Sequence, residues 1–218
     1  AVAARLLDRP DFRFVASRGT EGTPPDRRGV SFPQGGYFIQ RSGWGEERAL
    51  GDERFLMFDC GPLGAGGHGH YDLLSVELAA GGRPLILDPG RYTYSDEAPD
   101  WRRWFKGTAA HNTVLVDGRD QTPYRRSKPK GAPASGRLLG RWGAPGLDLI
   151  VGEALSPAYD ARHVRSVLFV ADEYWVLHDR LTAATAHQYD LRFHLAPEAM
   201  GRPSGSSSKT CARASRHA

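Results

Sequence analysis

The sequence predicts an all-β fold, an antiparallel β-sandwich, and three observations carry that expectation. Nine short β-prone runs recur with turn residues between them. Glycine (26) and proline (15) punctuate the 218 residues often, as many strands with tight turns require. Helical patterning is confined to two short stretches. The length suits one all-β domain with a core of ordinary size.

Residues 1–29 read as an N-terminal segment and linker. Residues 1–12 carry a short helical end closed by Pro10, and residues 17–29 form a polar loop rich in Gly, Pro and Arg. The sandwich is expected over residues 30–197. Its strands are placed at 36–41, 55–60, 74–79, 84–87, 112–116, 147–154, 164–170, 174–179 and 189–195. Over 173–178 the apolar run is nearly continuous, which predicts a central strand buried on both faces. Gly81-Gly82, Asp117-Gly118 and Pro145-Gly146 mark turns. A short helix is expected at 99–105, with Pro99 early in it and three aromatics after it. Residues 198–218 are poor in apolar side chains and read as a disordered tail.

Composition narrows the function classes. An apolar fraction of 40% and a charged fraction of 25% suit a folded globular protein. The net charge of +4 would attract a polyanion. The basic residues are dispersed, with short pairs at Arg27-Arg28, Arg102-Arg103 and Arg125-Arg126. No nucleic-acid-binding motif accompanies them, so nucleic acid is not an expected partner. No run approaches the ~20 apolar residues that a membrane span needs. No leader is visible in a chain that opens on Ala1. Cys60 and Cys211 are too few for a disulfide framework or a thiolate zinc site, and Cys60 reads as a buried thiol.

The densest chemistry lies at Gly64-Ala65-Gly66-Gly67-His68-Gly69-His70-Tyr71-Asp72. Histidines two apart on a strand share a face, and the glycines allow close approach of a ligand. Leu85-Ile86-Leu87-Asp88-Pro89-Gly90 puts a carboxylate at the end of an apolar strand, where it needs a partner or a metal. Ala109-Ala110-His111-Asn112 opens another strand. Together His70, Asp88 and His111 offer two nitrogens and one oxygen, a set that suits zinc. Taken singly, each also reads as a turn-forming Asp or a satisfied His. A cupin-like metal enzyme is an alternative, but it expects its acid only a few residues after the second His. Here Glu77 follows His70 by seven residues and Asp88 by eighteen.

These motifs resemble the central block of heparinase II/III-like polysaccharide lyases. The likeness covers GHGHYDLLSVELAAGGRPLILDPGRYTY and WRRWFKGTAAHNTVLVDGRDQ, and also GYFIQRSGW, FLMFDCGPLG and YWVLHDRL. It extends from about Pro33 to Pro197 with the motifs in family order. The resemblance implies a supersandwich-like domain, cut short after Arg192-Phe193-His194-Leu195, and a helical toroid N-terminal to it. It implies zinc on His70, Asp88 and His111, structural rather than attacking, with His68 facing the cleft as the catalytic residue. It implies cleavage of a uronic-acid polysaccharide, heparin-, heparan sulfate- or alginate-like, by β-elimination, and a periplasmic or secreted bacterial location. The family's acid/base tyrosine comes from the helical domain, so none of this chain's tyrosines matches it.

Tyr94, Trp101, Arg102 and Trp104 are candidate substrate residues. Arg matches carboxylate and sulfate geometry, and aromatic rings stack on sugar faces. The alternative for the aromatics is a helix packing them into the core. A second functional reading is non-enzymatic: a carbohydrate-binding sandwich whose zinc staples its loops.

Overall fold

The computed structural model describes residues 2–197 and 199, apart from 65, 66, 96, 98, 127 and 128. The expected tail at 198–218 lies outside the described residues, Ala199 aside. Two sheets form the body. The first has five antiparallel strands in chain order: β1 Val30–Phe32, β2 Tyr37–Arg41, β3 Phe55–Asp59, β4 Val76–Ala80 and β5 Arg83–Ile86. The second comprises β7 Ser135–Ala144, β8 Leu147–Leu155, β9 Arg162–Val170 and β10 Tyr174–Thr182, in the order β10-β9-β8-β7. A small two-stranded sheet joins β6 Val114–Val116 to β11 Tyr189–Leu191. Among the described residues no helix is long and apolar enough to cross a membrane.

Alternation along the strands makes the sandwich. Leu56 and Phe58 of β3 and Phe38 of β2 point inward, and with Leu74 and Val76 they meet Ile150, Ala154 and Val167 of the second sheet. The sheets approach closely at Gly152, where an added Cβ would stand 2.7 Å from Phe58 Cζ. Gln40 also points inward; it donates to the Asp148 carbonyl and accepts from Trp175 Nε1. Cys60 is buried, and burial pushes its thiol up to about 12.

Several details depart from the sequence reading. Pro10 does not close a helix; α1 is Val2–Leu6, and Pro10 opens α2, Pro10–Ala16, where its missing N–H costs nothing. The strand around 173–178 is not central. β10 is an edge strand with alternating exposure, and Tyr174 and Val176 face solvent. Two of its solvent-facing residues, Tyr174 and Val176, are apolar, which erased the alternation from 173–178 in the sequence. β1 and β7 were not anticipated. β7 carries three glycines and a register shift between Leu138 and Gly140, so it reads as loop. The helix at 99–105 is α3, Trp101–Lys106, capped by Asp100, which accepts from Arg103 N. The three turns stand as expected, with positive φ at Gly81, Gly82, Asp117, Gly118 and Gly146. Ala171 and Asp172 make the β9–β10 turn in the same left-handed region without a glycine.

Arg165 of β9 fastens the second sheet to the functional loops. It is fully buried, pairs with Asp179 of β10 through Nε (2.8 Å) and Nη2 (3.0 Å), and donates Nη1 to the carbonyls of Leu74 and Asn112. His163 Nε2 contacts the same carboxylate at 2.6 Å. Burial pulls the Asp179 carboxyl upward, but the hydrogen bonds from His163 and Arg165 outweigh it and hold it well below the usual range. A carboxylate depressed in the folded state stabilises the fold above its unfolded value of about 4, and that contribution fades as pH falls toward the folded value. The wild type should therefore lose urea resistance between about pH 5 and about pH 3. Asp179→Asn, less stable at neutral pH, should lose clearly less over that window; equal losses would remove Asp179 from this role.

Candidate metal centre and active site

The candidate residues gather at one end of the sandwich. Asp88 sits two residues past β5, whose exit is fixed by Leu87 N donating to the His194 carbonyl. His111 follows a 3-10 turn at Thr108–Ala110 and leads into β6. Asn112, fully buried beside it, donates Nδ2 to the carbonyls of Val76 and Leu87 and accepts from His194 N. One amide thus holds β4, the Asp88 segment and the His111 strand in fixed register.

The loop after His70 is tied just as firmly. Thr108 Oγ1 donates to the Tyr71 carbonyl and Thr113 Oγ1 to that of Leu73. Gln121 imitates a neighbouring strand, accepting from Leu73 N and donating to Leu73 O. Leu74 is driven to φ 65, a region unfavourable for a branched side chain, and Arg165 grips its carbonyl. Such strain persists only where surrounding contacts over-determine it, which is common at functional sites.

This frame brings one ligand atom each of His70, Asp88 and His111 within 4.8 Å of one another. His111 is fully buried, its Nδ1 is 2.6 Å from Asp88 Oδ2, and its ring stacks on His70 with centroids 5.1 Å apart. The Nε2 atoms of both histidines are buried without a hydrogen-bond partner. Buried imidazole nitrogens normally find a partner, so these orphans fit a cation that accepts their lone pairs. Burial and the neighbouring His111 push the His70 pKa down to about 4, which keeps the ring neutral and its lone pair free for a metal. For His111, burial lowers the pKa, but the Asp88 hydrogen bond and the charges of Asp72, Asp88 and Asp59 raise it overall.

Two further carboxylates stand behind the ligands, and the sequence reading passed over both. Asp59 and Asp72 line a cavity of about 150 Å³ with Tyr37, Glu77 and Asp88. Burial, then the charge of Asp72, pushes Asp59 up to about 7. The strand expected through His68 and His70 does not form: His68, His70 and Asp72 lie in the loop between β3 and β4, so alternation does not place them.

The other candidates fall into two groups. His68 and Tyr94 meet: His68 Nδ1 lies 3.2 Å from Tyr94 Oη, and both side chains are exposed. Trp101 and Trp104 lie on α3, 45% and 41% exposed, in an aromatic cluster with Tyr92 and Phe105. These rings are not buried in the sandwich core. Arg102, on the buried side of α3, donates Nη1 to the Tyr94 carbonyl and Nη2 to that of Arg126. It joins the helix to the Tyr94 segment. Tyr92 has φ 61, a second bulky residue in the left-handed region within this site.

Comparisons with known proteins identify the family and the fold. The family described as heparinase II/III-like, C-terminal matches residues 24–218. A heparin-sulfate lyase of Bacteroides stercoris is 28% identical over 189 residues, 84% of this chain and 25% of the relative. One from Pedobacter heparinus is 27% identical over 171 residues, 77% of this chain and 23% of the relative. The chain therefore spans about a quarter of the length of the curated relatives it matches. Among solved structures, heparan sulfate lyase HepC from Pedobacter heparinus superposes with a TM-score of 0.73 at 22% identity, over 88% of this chain and 28% of that one. A heparinase III structure gives 0.74 at 25% identity over the same shares. A shared fold, the ordered motifs and a family match across most of the chain converge: this chain belongs to the heparinase II/III-like family and carries its C-terminal β-sandwich domain.

Proposed function

We propose that this chain is the metal-bearing sandwich of a polysaccharide lyase that cleaves a uronic-acid polymer by β-elimination. The observation that carries the reading is the placement of the buried His70–Asp88–His111 cluster and the exposed His68–Tyr94 pair at one end of a sandwich of this family. The substrate class follows the relatives, whose names are heparin-sulfate lyase; an alginate-like polymer has the same reactive uronate.

In β-elimination a base removes the proton α to the uronate carboxylate. The bond from C4 to the glycosidic oxygen breaks, the leaving oxygen takes a proton, and a C4–C5 double bond forms. His68, exposed and within reach of Tyr94 Oη, is placed to exchange a proton or donate a hydrogen bond at the carboxylate. Trp101 and Trp104 offer exposed ring faces to the sugars. His70, Asp88 and His111 would hold zinc, whose chemistry here is to bind two imidazoles and a carboxylate and so fix the loop that presents His68. The remaining acid/base groups are assigned to a helical domain facing this end. A large charged polymer does not cross a membrane unaided, so the site of action is placed in the periplasm or outside the cell.

The test is absorbance from the new C4–C5 double bond with heparan sulfate, alginate and a neutral polysaccharide, each with the zinc-loaded chain alone and with a helical domain added. Product from acidic polymers only is expected once the helical domain is present, and His68→Ala should lower that rate about 100-fold or more. Saturable binding without product under either condition would reassign the chain to the zinc-stapled carbohydrate-binding reading. Neither binding nor product would overturn both.

A further inference from the structure

Arg91 stands out from the other arginines near the site. It follows Asp88-Pro89-Gly90, three residues past a candidate metal ligand. Its Nη2 donates to the Gly67 carbonyl at 2.7 Å, in the loop that carries His68. Its guanidinium carbon lies 4.0 Å from the centre of the Tyr94 ring, and Tyr94 Oη in turn meets His68. Yet its Nε and Nη1 are buried with no hydrogen-bond partner. A buried, unmet donor typically costs about 1–3 kcal/mol, more when charged. Two on one guanidinium is a costly arrangement unless an acceptor arrives in the working state.

The contrast with Arg165 and Arg141 is informative. Arg165 gives every donor group to Asp179 or to main-chain carbonyls. Arg141 does the same with Asp148, Ser31, Val30 and Ile39. Those are structural arginines. Arg91 is anchored by Nη2 alone and leaves its Nε and Nη1 donors unmatched, each able to meet an oxygen of an incoming carboxylate or sulfate.

We propose that Arg91 forms an anion subsite, taking a carboxylate or sulfate of the acidic saccharide beside His68. In this structure the Tyr94 ring stacks over the guanidinium face. Tyr94 is 59% exposed, so its ring can swing aside as the anion meets the unmatched donors. Arg91 also ties the Asp88 segment to the His68 loop through Gly67, so filling the subsite bears directly on where His68 stands. The inference rests on the lyase reading and deepens it by naming the group that recognises substrate charge.

The test is calorimetric titration of the zinc-loaded chain with three forms of a heparan sulfate hexasaccharide: native, desulfated and carboxyl-reduced. The chain is wild type, Arg91→Met or Arg91→Lys, each checked for a native melting transition. Arg91→Met should weaken binding of the native form at least ~10-fold, or about 1.4 kcal/mol. It should leave unchanged the one analogue that lacks the recognised anion, which tells carboxylate from sulfate. Arg91→Lys keeps the charge but not the fixed guanidinium donors, and should recover only part of the loss; it decides the matter if Arg91→Met does not fold. Equal losses on all three saccharides, or no loss, would overturn the subsite and leave the lyase reading intact. A wild-type chain that binds none of the three would sink both.

Discussion

Replacing Arg165 by Met should lower the melting temperature by roughly 6–20 °C. The side chain is fully buried and holds Asp179 with two nitrogens and two main-chain carbonyls with a third. Methionine is close in length, so the loss is electrostatic rather than a cavity. It leaves a carboxylate that keeps His163 but has lost its charged partner, and two carbonyls that have lost a strong donor. Breaking one partner of a buried ion pair costs about 3–5 kcal/mol, and in a chain of this size each kcal/mol moves the transition by about 2–4 °C. Adding Asp179→Leu should recover part of the loss, because the carboxylate is then gone, but not all of it, because the carbonyls of Leu74 and Asn112 stay under-satisfied. Since Asn112 adjoins His111, the single variant should also bind metal more weakly. Thermal melting followed by circular dichroism, with and without zinc, reads both effects. An unchanged transition would mean that Arg165 does not fasten the sheets.

Zinc should raise the melting temperature of the wild-type chain, a chelator should reverse the rise, and His70→Ala should abolish the response. A ligand that binds only the folded state stabilises it by about 4 kcal/mol when present at about 1,000 times its dissociation constant. For this chain that is a shift of roughly 8–16 °C. The three ligand groups come from segments far apart in sequence, so the unfolded chain holds no comparable site. His70→Ala is the variant of choice because His70 is only partly buried, whereas His111 is fully buried and its loss would confound folding with binding. A zinc-induced shift that survives His70→Ala would place the metal elsewhere.

The sandwich was legible because its strands obey simple patterning. Phe38, Leu56 and Phe58 alternate with more exposed neighbours, and glycine turns separate several of the runs. What escaped was set by tertiary context. β10 carries apolar residues on both faces although one face meets solvent, so a local reading took it for a buried strand. β7 is a strand because β8 offers it a partner, despite its glycines. Pro10 reads as a helix end or a helix start with equal ease, and the outcome depended on what followed.

The site shows the same division. His68, His70, Asp88 and His111 were named from motif and residue type, and the fold brings the last three and His70's neighbour to one end. The residues that hold them were not. Asn112, Gln121 and Arg165 act through main-chain carbonyls of distant segments, contacts that leave no periodic trace in sequence. Arg91 was passed over because an arginine after Asp-Pro-Gly reads as a solvated loop residue; only its burial with two unmet donors sets it apart.

Elemental analysis of the purified, zinc-loaded and dialysed chain, beside His70→Ala and Asp88→Asn, tests the central claim most directly. One metal ion per wild-type chain and none in either variant, with all three folded, is the predicted result. A folded wild-type chain that retains no metal would contradict the His70–Asp88–His111 centre, and with it the account of how His68 is presented.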